Sequence, residues 1–220
     1  LQEGLRVPIV VGNDATAGTF AEWRLGAGRN TDNFAMVTLG TGIGTGFVID
    51  GRLLQGASGF AGESGHMVVV VDGPAHRTGQ RGPWEYFASG TALDRLGREA
   101  ALSGEFAWGT AKAGAAETVT GQHVAAGASQ GEEDALKILD GFCREVGRGL
   151  ANLVLVLDLE SVVIGGGLCS IGEPLRAGID HWLRELLLGS EHRPPVRVVL
   201  AELGSEAGAL GAALIATEVL

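Results

Sequence analysis

Three patterns in the sequence predict a mixed α/β fold. Short apolar runs end in glycine, as buried strands that lead into tight loops do. Longer segments in the second half of the chain carry apolar residues at helical spacing, above all Glu132 to Leu157. The first strands are joined by a hairpin signal and the later ones alternate with helices, an order typical of a sheet covered by helices.

The first predicted element is a buried strand at Val7 to Val11, and a helix follows from Ala15 to about Ala27. Asn13 and Asp14 lie between the two, where either residue can cap the first turn of the helix. A carboxylate at such a junction can also face a cleft and accept a proton from a substrate hydroxyl. Asp14 is therefore either a helix cap or a candidate catalytic base.

A glycine-rich turn separates the next two predicted strands, Phe34 to Leu39 and Gly46 to Ile49. This turn, Gly40 to Gly44, has alternating glycines whose backbone N–H groups can face an anion, although a simple tight turn has the same pattern. It is neither a Walker loop nor a Rossmann fingerprint, because no lysine follows and the next element is a strand. Asp50-Gly51, after the second of these strands, is a strong hairpin signal.

Polar residues suited to binding a sugar stand in the loop that follows. The loop covers residues 55 to 65, and a further strand is predicted at Met67 to Val71. Glu63, His66 and, further on, Glu85 could together hydrogen-bond several hydroxyl groups of a sugar. Solvated surface residues are the alternative interpretation.

The C-terminal part of the chain alternates strands with helices. A buried strand at Ser161 to Ile164 runs into three glycines, against which a nucleotide base or its ribose could lie. A tight strand–helix junction without a ligand has the same sequence pattern. Helices are predicted at Leu175 to Leu188 and Ser205 to Val219, with a strand at Val196 to Leu200 between them.

The composition predicts a folded protein that binds no nucleic acid through this chain. Hydrophobic residues make up 45% and charged residues 19% of the sequence, so a sizeable core can form. The net charge is −10 and no Lys/Arg cluster occurs, so a phosphate backbone would be repelled. We see no bilayer-length apolar run and no signal-peptide pattern, and expect a cytoplasmic protein without membrane contact. Cys143 and Cys169 lie far apart and predict reduced thiols.

Four segments, taken together and in this order, resemble the ROK (repressor, open reading frame, kinase) sugar kinases. They are VGNDATA, TLGTGIGTGFVIDGRLLQGASGFAGESGH, GQRGPWEYFASG and VVIGGG. The resemblance extends from about residue 7 to the C-terminus, and the run from Gly40 to His66 is specific. It implies an actin-like, ribonuclease-H-like ATPase fold, of which this chain would hold the C-terminal lobe and part of the N-terminal lobe.

By the same resemblance, residues 1–33 would be a remnant of the N-terminal lobe and residues 34–204 the large lobe that binds sugar and ATP. Residues 205–220 would form a C-terminal helix that packs toward the N-terminal lobe. The family begins with a DxGGT-type phosphate loop whose acidic residue helps to hold Mg²⁺, and this sequence contains no such segment. We therefore expect this chain alone to be a poor or inactive kinase.

The resemblance also implies a role for each candidate residue. Asp14 would be the catalytic base, taking the proton of the sugar 6-hydroxyl as that oxygen attacks the γ-phosphate of ATP, which is bound with Mg²⁺. Asn13 would orient the sugar. The remaining sugar contacts would come from Ser58, Gly59, Glu63, His66 and Glu85, and the ATP contacts from Gly40, Thr41, Gly42, Gly166 and Gly167. Phosphoryl transfer needs mainly alignment and charge neutralisation, which a carboxylate and an anion-binding loop can supply.

One departure from the family concerns a structural zinc ion. ROK kinases usually hold it with the loop histidine and three cysteines in a CxCGxxGC arrangement. Here the cysteine positions hold His76, Thr78 and Pro83. Only two nitrogen ligands, His66 and His76, would remain where four good ligands are normally required, so we expect no structural zinc. Packing of Trp84 and Tyr86 would hold the loop instead.

The leading functional prediction is an ATP-dependent hexose kinase that converts glucose to glucose 6-phosphate. Polyphosphate is an alternative donor, which the acidic composition disfavours. A second prediction is the sugar-sensing half of a ROK transcriptional repressor, in which the same core follows a helix-turn-helix. Such repressors often lose the catalytic aspartate or the ATP glycines, whereas Asp14 and the Gly40 to Gly44 turn are present here. An inactive sugar-binding pseudokinase is the third, and a homodimer is the expected assembly.

Overall fold

A five-stranded mixed sheet forms the centre of the protein in a computed structural model that describes Gly4 and residues 7–219. Its strands are β1 (Phe34–Leu39), β2 (Ile43–Ile49), β3 (Arg52–Leu53), β4 (Ser161–Gly165) and β5 (Arg197–Leu200). Their spatial order is β3-β2-β1-β4-β5. The first three strands are antiparallel neighbours, whereas β4 and β5 extend the sheet parallel to β1. The predicted mixed α/β class is confirmed.

Alternate side chains of the central strands face two different apolar layers. In β1, Ala35, Val37 and Leu39 belong to the main core, whereas Phe34 and Met36 pack in a smaller cluster. β4 is buried along its whole length. A central parallel strand of this kind is covered by other elements on both faces.

Eight α-helices of the described residues surround the sheet. They are α1 (Asp14–Leu25), α2 (Trp84–Ala88), α3 (Gly90–Leu102), α4 (Ala107–Ala113), α5 (Gly121–Ser129), α6 (Glu133–Leu157), α7 (Glu173–Leu186) and α8 (Ala207–Val219). Short 3₁₀ helices occur at Ser64–His66, Ala116–Thr118, Gly167–Ile171, Ser190–His192 and Gly204–Glu206. Within the described ranges, none of the helices combines the length and the apolar character that crossing a membrane requires.

Helix α1 lies directly on the sheet and against α8. Glycine permits both close approaches. A Cβ at Gly46 of β2 would stand 2.1 Å from Thr19 Oγ1, and a Cβ at Gly211 of α8 would stand 1.7 Å from the carbonyl oxygen of Ala17. Since α8 meets the backbone of α1 directly at Gly211 and β2 meets the Thr19 side chain of α1 at Gly46, the N-terminus of α1, where Asp14 lies, has a defined position relative to the sheet.

The buried carboxylate of Glu22 ties α1 to the segment that leads into α8. Glu22 is fully buried. Its two oxygens accept hydrogen bonds from the backbone N–H groups of Ala27 at 2.8 Å, Glu202 at 3.2 Å and Leu203 at 2.8 Å. Several backbone donors satisfy the buried oxygens of this carboxylate. The contact also determines where Gly204 lies, directly after this segment.

The prediction of a strand at residues 7–11 is wrong. These residues form a bend and irregular chain, and Val11 is 90% exposed. A strand needs a neighbour to pair its backbone groups, and no strand in the described part of the chain pairs with this run.

The strand predicted at Met67 to Val71 is also wrong, because this run folds back on itself. Its one ladder contact is an isolated bridge between Val68 and Pro83. The N–H groups of Val69 and Val70 both donate to the carbonyl oxygen of Gly82, which is the geometry of a compact loop.

The glycine-rich turn is shorter than predicted. β2 begins at Ile43, which faces Leu39 across the hairpin, so that Gly44 belongs to the strand. The second hairpin signal is confirmed: Asp50 and Gly51 have φ values of 51° and 65°, as the tightest two-residue hairpin turns require.

Cys143 and Cys169 are free thiols in different surroundings. Cys143 is fully buried in the main core. This burial, with a smaller contribution from the charge of Asp140, raises the pKa of its thiol to about 12. Cys169 is only half-buried, and burial raises the pKa of its thiol as well.

We expect a maleimide at neutral pH to label Cys169 in the folded protein, and Cys143 only after unfolding. The thiolate is the reactive form of cysteine, and both burial and the raised pKa suppress it at Cys143. Peptide mapping by mass spectrometry measures the label at each site. Equal labelling of both cysteines in the native state would contradict the burial of Cys143.

Candidate functional site

An open cleft of about 500 Å³ lies at the carboxyl ends of β1 and β4. The start of α1, the glycine turn after β1 and the residues Gly62 and Glu63 form part of its wall. Gly166, after β4, and Gly204 and Gly208 near the start of α8 complete it. Ligands of α/β proteins bind in crevices at the carboxyl ends of strands, so this cleft is the candidate functional site.

Asn13 and Asp14 stand at the N-terminus of α1 and line the cleft. Asn13 is the N-cap, since its Oδ1 accepts a hydrogen bond from the N–H of Thr16 at 3.0 Å. Asp14 is the first residue of the helix, and its Oδ1 accepts from the N–H of Ala15 at 2.8 Å. Its other carboxylate oxygen has no hydrogen bond within the described residues. The capping role therefore belongs to Asn13, and Asp14 keeps one carboxylate oxygen free in the wall of the cleft.

The N-terminus of α3 donates two hydrogen bonds to the glycine turn after β1. The N–H of Gly90 donates to the carbonyl oxygen of Gly40 at 2.6 Å, and Thr91 Oγ1 donates to that of Thr41 at 2.7 Å. These bonds use carbonyl groups. The N–H groups of Thr41 and Gly42 donate no hydrogen bond to any group in the described part of the chain. An anion-binding loop has such backbone donors.

The turn after β4 is pressed against the end of β1. Gly166 has a φ of 87°, and a Cβ there would stand 2.5 Å from the carbonyl oxygen of Leu39. Only glycine tolerates both conditions. The glycine turns that follow the two parallel strands are therefore neighbours and line the cleft together.

Thr45 of β2 holds the loop that carries Glu63. Its Oγ1 donates to the carbonyl oxygen of Gly62 and accepts from the N–H of Ser64 at 3.4 Å. Glu63 lines the cleft with a side chain that is 58% exposed. His66 Nε2 lies 3.9 Å from Glu63 Oε2. An accessible carboxylate and an imidazole thus lie side by side, and both groups can hydrogen-bond hydroxyl groups.

Glu85 is the most enclosed carboxylate of the cleft, with a side chain only 10% exposed. Its Oε2 accepts from the N–H of Ile43 at 2.8 Å, and its Oε1 lies 3.1 Å from His76 Nε2. A Cβ at Gly42 would stand 2.2 Å from Oε2, so glycine is needed there for this contact. Glu85 lines both the cleft and a smaller pocket of about 230 Å³ beside it.

The cleft brings together most of the predicted ligand-binding residues. Those that line it are Asn13, Asp14, Gly40, Gly42, Glu63, Glu85 and Gly166. The others do not line it. Thr41 lines the smaller pocket, Ser58 and Gly59 are on an exposed loop, and His66 and Gly167 adjoin lining residues in sequence or space.

Several lining residues were missed by sequence reasoning. Thr38 and Thr45 are lining residues, and so are Gly204 and Gly208 of the segment around α8. Thr38 could have been found, because it shares a face of β1 with Met36 and stands near the end of the strand. No local signal marks Gly204 or Gly208, which reach the cleft only because α8 packs against α1.

The stretch from His76 to Pro83, where the resemblance implied a zinc site, does not fit a structural zinc ion. Both ring nitrogens of His76 have partners: Nε2 lies near Glu85, and Nδ1 lies 3.0 Å from Thr78 Oγ1. The ring centroids of His66 and His76 are 6.2 Å apart. As far as the structure describes the chain, no group of three or more His, Cys, Asp or Glu side chains is arranged around a metal position.

Aromatic packing anchors this loop. Trp84 is fully buried, and its Nε1 donates to the carbonyl oxygen of Glu145 at 2.9 Å. Its backbone N–H donates to that of Met67 at 2.8 Å. The guanidinium of Arg95 lies 4.6 Å from the ring centroid of Tyr86. The loop is thus held at both aromatic residues that the sequence indicated.

Comparison with known proteins identifies the family. The model of the ROK family matches residues 1–219. The glucokinase of Streptomyces coelicolor is 36% identical over 222 residues, covering 96% of this chain and 68% of that protein. The chain thus spans about two thirds of this relative.

Solved structures agree with this match. A ROK family glucokinase from Streptomyces griseus, in complex with glucose and AMPPNP, superposes with a TM-score of 0.92 at 36% identity, covering 99% of this chain and 70% of that one. A ROK family transcriptional regulator, a homologue of the MLC protein of E. coli, superposes with a TM-score of 0.82 at 27% identity, covering 98% of this chain and 53% of that one. The chain therefore belongs to the ROK family and has the actin-like ATPase fold of its sugar kinases.

Proposed function

We propose that this protein is an ATP-dependent hexose kinase that converts glucose to glucose 6-phosphate. One observation carries the proposal: a single cleft is lined by Asp14, by the carboxylates of Glu63 and Glu85, and by glycine turns. The carboxylates are acceptors for sugar hydroxyl groups, and the glycine turns present backbone to a nucleotide. The relatives named glucokinase support the same chemistry.

In this proposal Asp14 acts as the general base. Its free carboxylate oxygen accepts the proton of the sugar 6-hydroxyl while that oxygen bonds to the γ-phosphorus of ATP. The bond from the γ-phosphorus to the bridging oxygen breaks, and ADP leaves with the electron pair. The hydrogen bond from the Ala15 N–H to Oδ1 holds the carboxylate in one orientation during the transfer.

The sugar is held by carboxylate acceptors that line the cleft beside β2. Glu63 contributes an accessible carboxylate and Glu85 an enclosed one. His66, beside Glu63, is a further hydroxyl partner. Carboxylates fixed by neighbouring groups discriminate between sugars, because a hydroxyl in the wrong orientation leaves an acceptor unsatisfied.

The nucleotide is assigned to the glycine turns. The N–H groups of Thr41 and Gly42 would meet the phosphates, and Gly166 and Gly167 the adenosine. Mg²⁺ bound with ATP would neutralise phosphate charge during the transfer. The glucokinase of Streptomyces griseus was solved with the ATP analogue AMPPNP, which supports this assignment.

A sugar-sensing repressor is the second candidate, since a transcriptional regulator shares the fold. Asp14 favours the kinase, because a sensor needs neither a base with a free oxygen nor a phosphate-binding turn. The greater similarity to a glucokinase points the same way. Binding of ATP distinguishes the two functions.

We expect glucose to bind and Glu63→Ala to weaken its binding roughly tenfold, because one hydrogen bond to a charged acceptor is lost. Asp14→Ala is expected to weaken it as well. Isothermal titration calorimetry measures the dissociation constants. Both this chain and an extended chain are titrated. The extended chain carries at its N-terminus the preceding part of the Streptomyces coelicolor glucokinase.

Glu191→Ala is the matched control, since Glu191 is exposed and does not line the cleft. Its glucose affinity should equal that of the wild type. Unchanged affinity in both cleft variants would contradict the assigned sugar site. Failure of the folded extended chain to bind any hexose would contradict the proposed function.

A further inference from the structure

The contact between His76 and Glu85 has no role in the proposed phosphoryl transfer. His76 Nε2 lies 3.1 Å from Glu85 Oε1, and the two side chains are only 11% and 10% exposed. His76 stands outside the cleft and lines the smaller pocket. It therefore meets Glu85 from the side away from the proposed sugar.

Glu85 connects two parts of the proposed site. Ile43 is the first residue of β2 after the glycine turn, and its N–H donates to Glu85 Oε2. The same carboxylate lines the cleft. A rotation of this carboxylate would thus disturb both a sugar acceptor and the end of the glycine turn.

Glu85 can bind a sugar hydroxyl in a defined geometry only if the plane of its carboxylate is held in one orientation. A carboxylate can accept about four hydrogen bonds, and Ile43 and His76 occupy one position on each oxygen. The other positions remain for a ligand. The terminal torsion of a glutamate is broad and weakly restricted by itself, so a second donor on Oε1 is needed to define the plane.

Thr78 sets the orientation of the His76 ring. Its Oγ1 lies 3.0 Å from His76 Nδ1. When the hydroxyl donates its proton to Nδ1, the imidazole carries its own proton on Nε2 and donates it to Glu85. Arg77 reaches the same Oε1 at 3.8 Å but is 72% exposed, so its contribution is small.

We propose that His76 is a positioning residue, which orients Glu85 for the hexose through a hydrogen bond and is itself oriented by Thr78. The assignment of a hexose to Glu85 rests on the proposed function, whereas the contact between His76 and Glu85 does not. His76 thus supplies a defined donor at a position where the family motif has a cysteine.

The test compares His76→Ala, His76→Gln and the control Arg77→Ala in the extended chain. Two quantities are measured: hydrogen exchange of the Ile43 amide by NMR without sugar, and the glucose dissociation constant by calorimetry. We expect His76→Ala to speed Ile43 exchange several-fold and to weaken glucose binding roughly tenfold, equivalent to one hydrogen bond. His76→Gln should restore both, because its amide nitrogen can take the place of Nε2. Arg77→Ala should leave both unchanged.

The two readouts separate the proposals. Ile43 exchange that stays at the wild-type rate in folded His76→Ala overturns the positioning role. If Ile43 exchange responds but no hexose binds even the wild type, the positioning of Glu85 stands and the proposed function fails. Should His76→Ala not fold, His76→Asn replaces it, since its shorter amide keeps the polarity but does not reach Glu85. Equal effects of the Asn and Gln variants would then overturn the proposal.

Discussion

Asp14→Asn is expected to lower kcat for glucose phosphorylation by a factor of about 10² to 10⁴, the usual contribution of a general base. The amide cannot take the proton of the sugar hydroxyl. It keeps the Oδ1 that accepts from the Ala15 N–H, so the start of α1 should remain intact. The glucose dissociation constant should change by less than about tenfold, because the base acts mainly in the transition state. A coupled assay of the extended chain measures kcat.

Asp72→Asn is the matched control, because Asp72 is exposed, lies outside the cleft and undergoes the same change of charge. Its kcat should equal that of the wild type. If Asp14→Asn phosphorylated glucose as fast as Asp72→Asn, Asp14 would not be the base. A large loss of glucose affinity in Asp14→Asn would instead assign Asp14 to sugar binding.

Trp84→Ala is expected to lower the free energy of unfolding by about 3 to 5 kcal/mol, the usual range for a fully buried aromatic residue. The substitution empties a site against α6, where a Cβ at Gly149 would stand 2.0 Å from the indole. It also removes the hydrogen bond from Nε1 to the carbonyl oxygen of Glu145. Since Glu85 is the next residue, glucose affinity should fall as well. Urea denaturation followed by circular dichroism measures the stability.

Trp182→Ala is the control variant with which the loss of unfolding free energy in Trp84→Ala is compared. Trp182 is only partly buried, and its Nε1 donates to Asp140 Oδ1 at 2.8 Å near the surface. We expect a loss of about 1 kcal/mol, typical of a point substitution outside the core. Equal destabilisation by the two substitutions would contradict Trp84 as the anchor of the loop.

Elements with a strong local signal were predicted well. β1 has the predicted bounds, and α6 begins one residue after the predicted start. The Asp50-Gly51 turn follows from the residue types alone, because few residues other than Gly, Asn and Asp adopt positive φ. In each case the structure depends on residues close together in the sequence.

The two strands that were predicted wrongly show what an apolar run alone cannot predict. Residues 7–11 and 67–71 have the apolar residues of a strand, yet neither has the partner strand that would pair its backbone groups in the described structure. A strand is stabilised by a neighbour that is often remote in sequence, so an apolar run alone cannot establish it.

The sequence by itself determined the family and the mixed α/β class, because these follow from residue types in a specific order. Only the tertiary structure decided that Asn13 caps α1 while Asp14 keeps a free oxygen. It also decided that Glu85 bonds the N–H of Ile43 and meets His76. The contacts of Glu85 join parts of the chain that packing, not local spacing, brings together, since the sheet and its loops must form before such groups come within hydrogen-bonding distance. The Asn13 cap is a local contact, but the residue types allowed either Asn13 or Asp14 to make it, and only the folded start of α1 shows which one does.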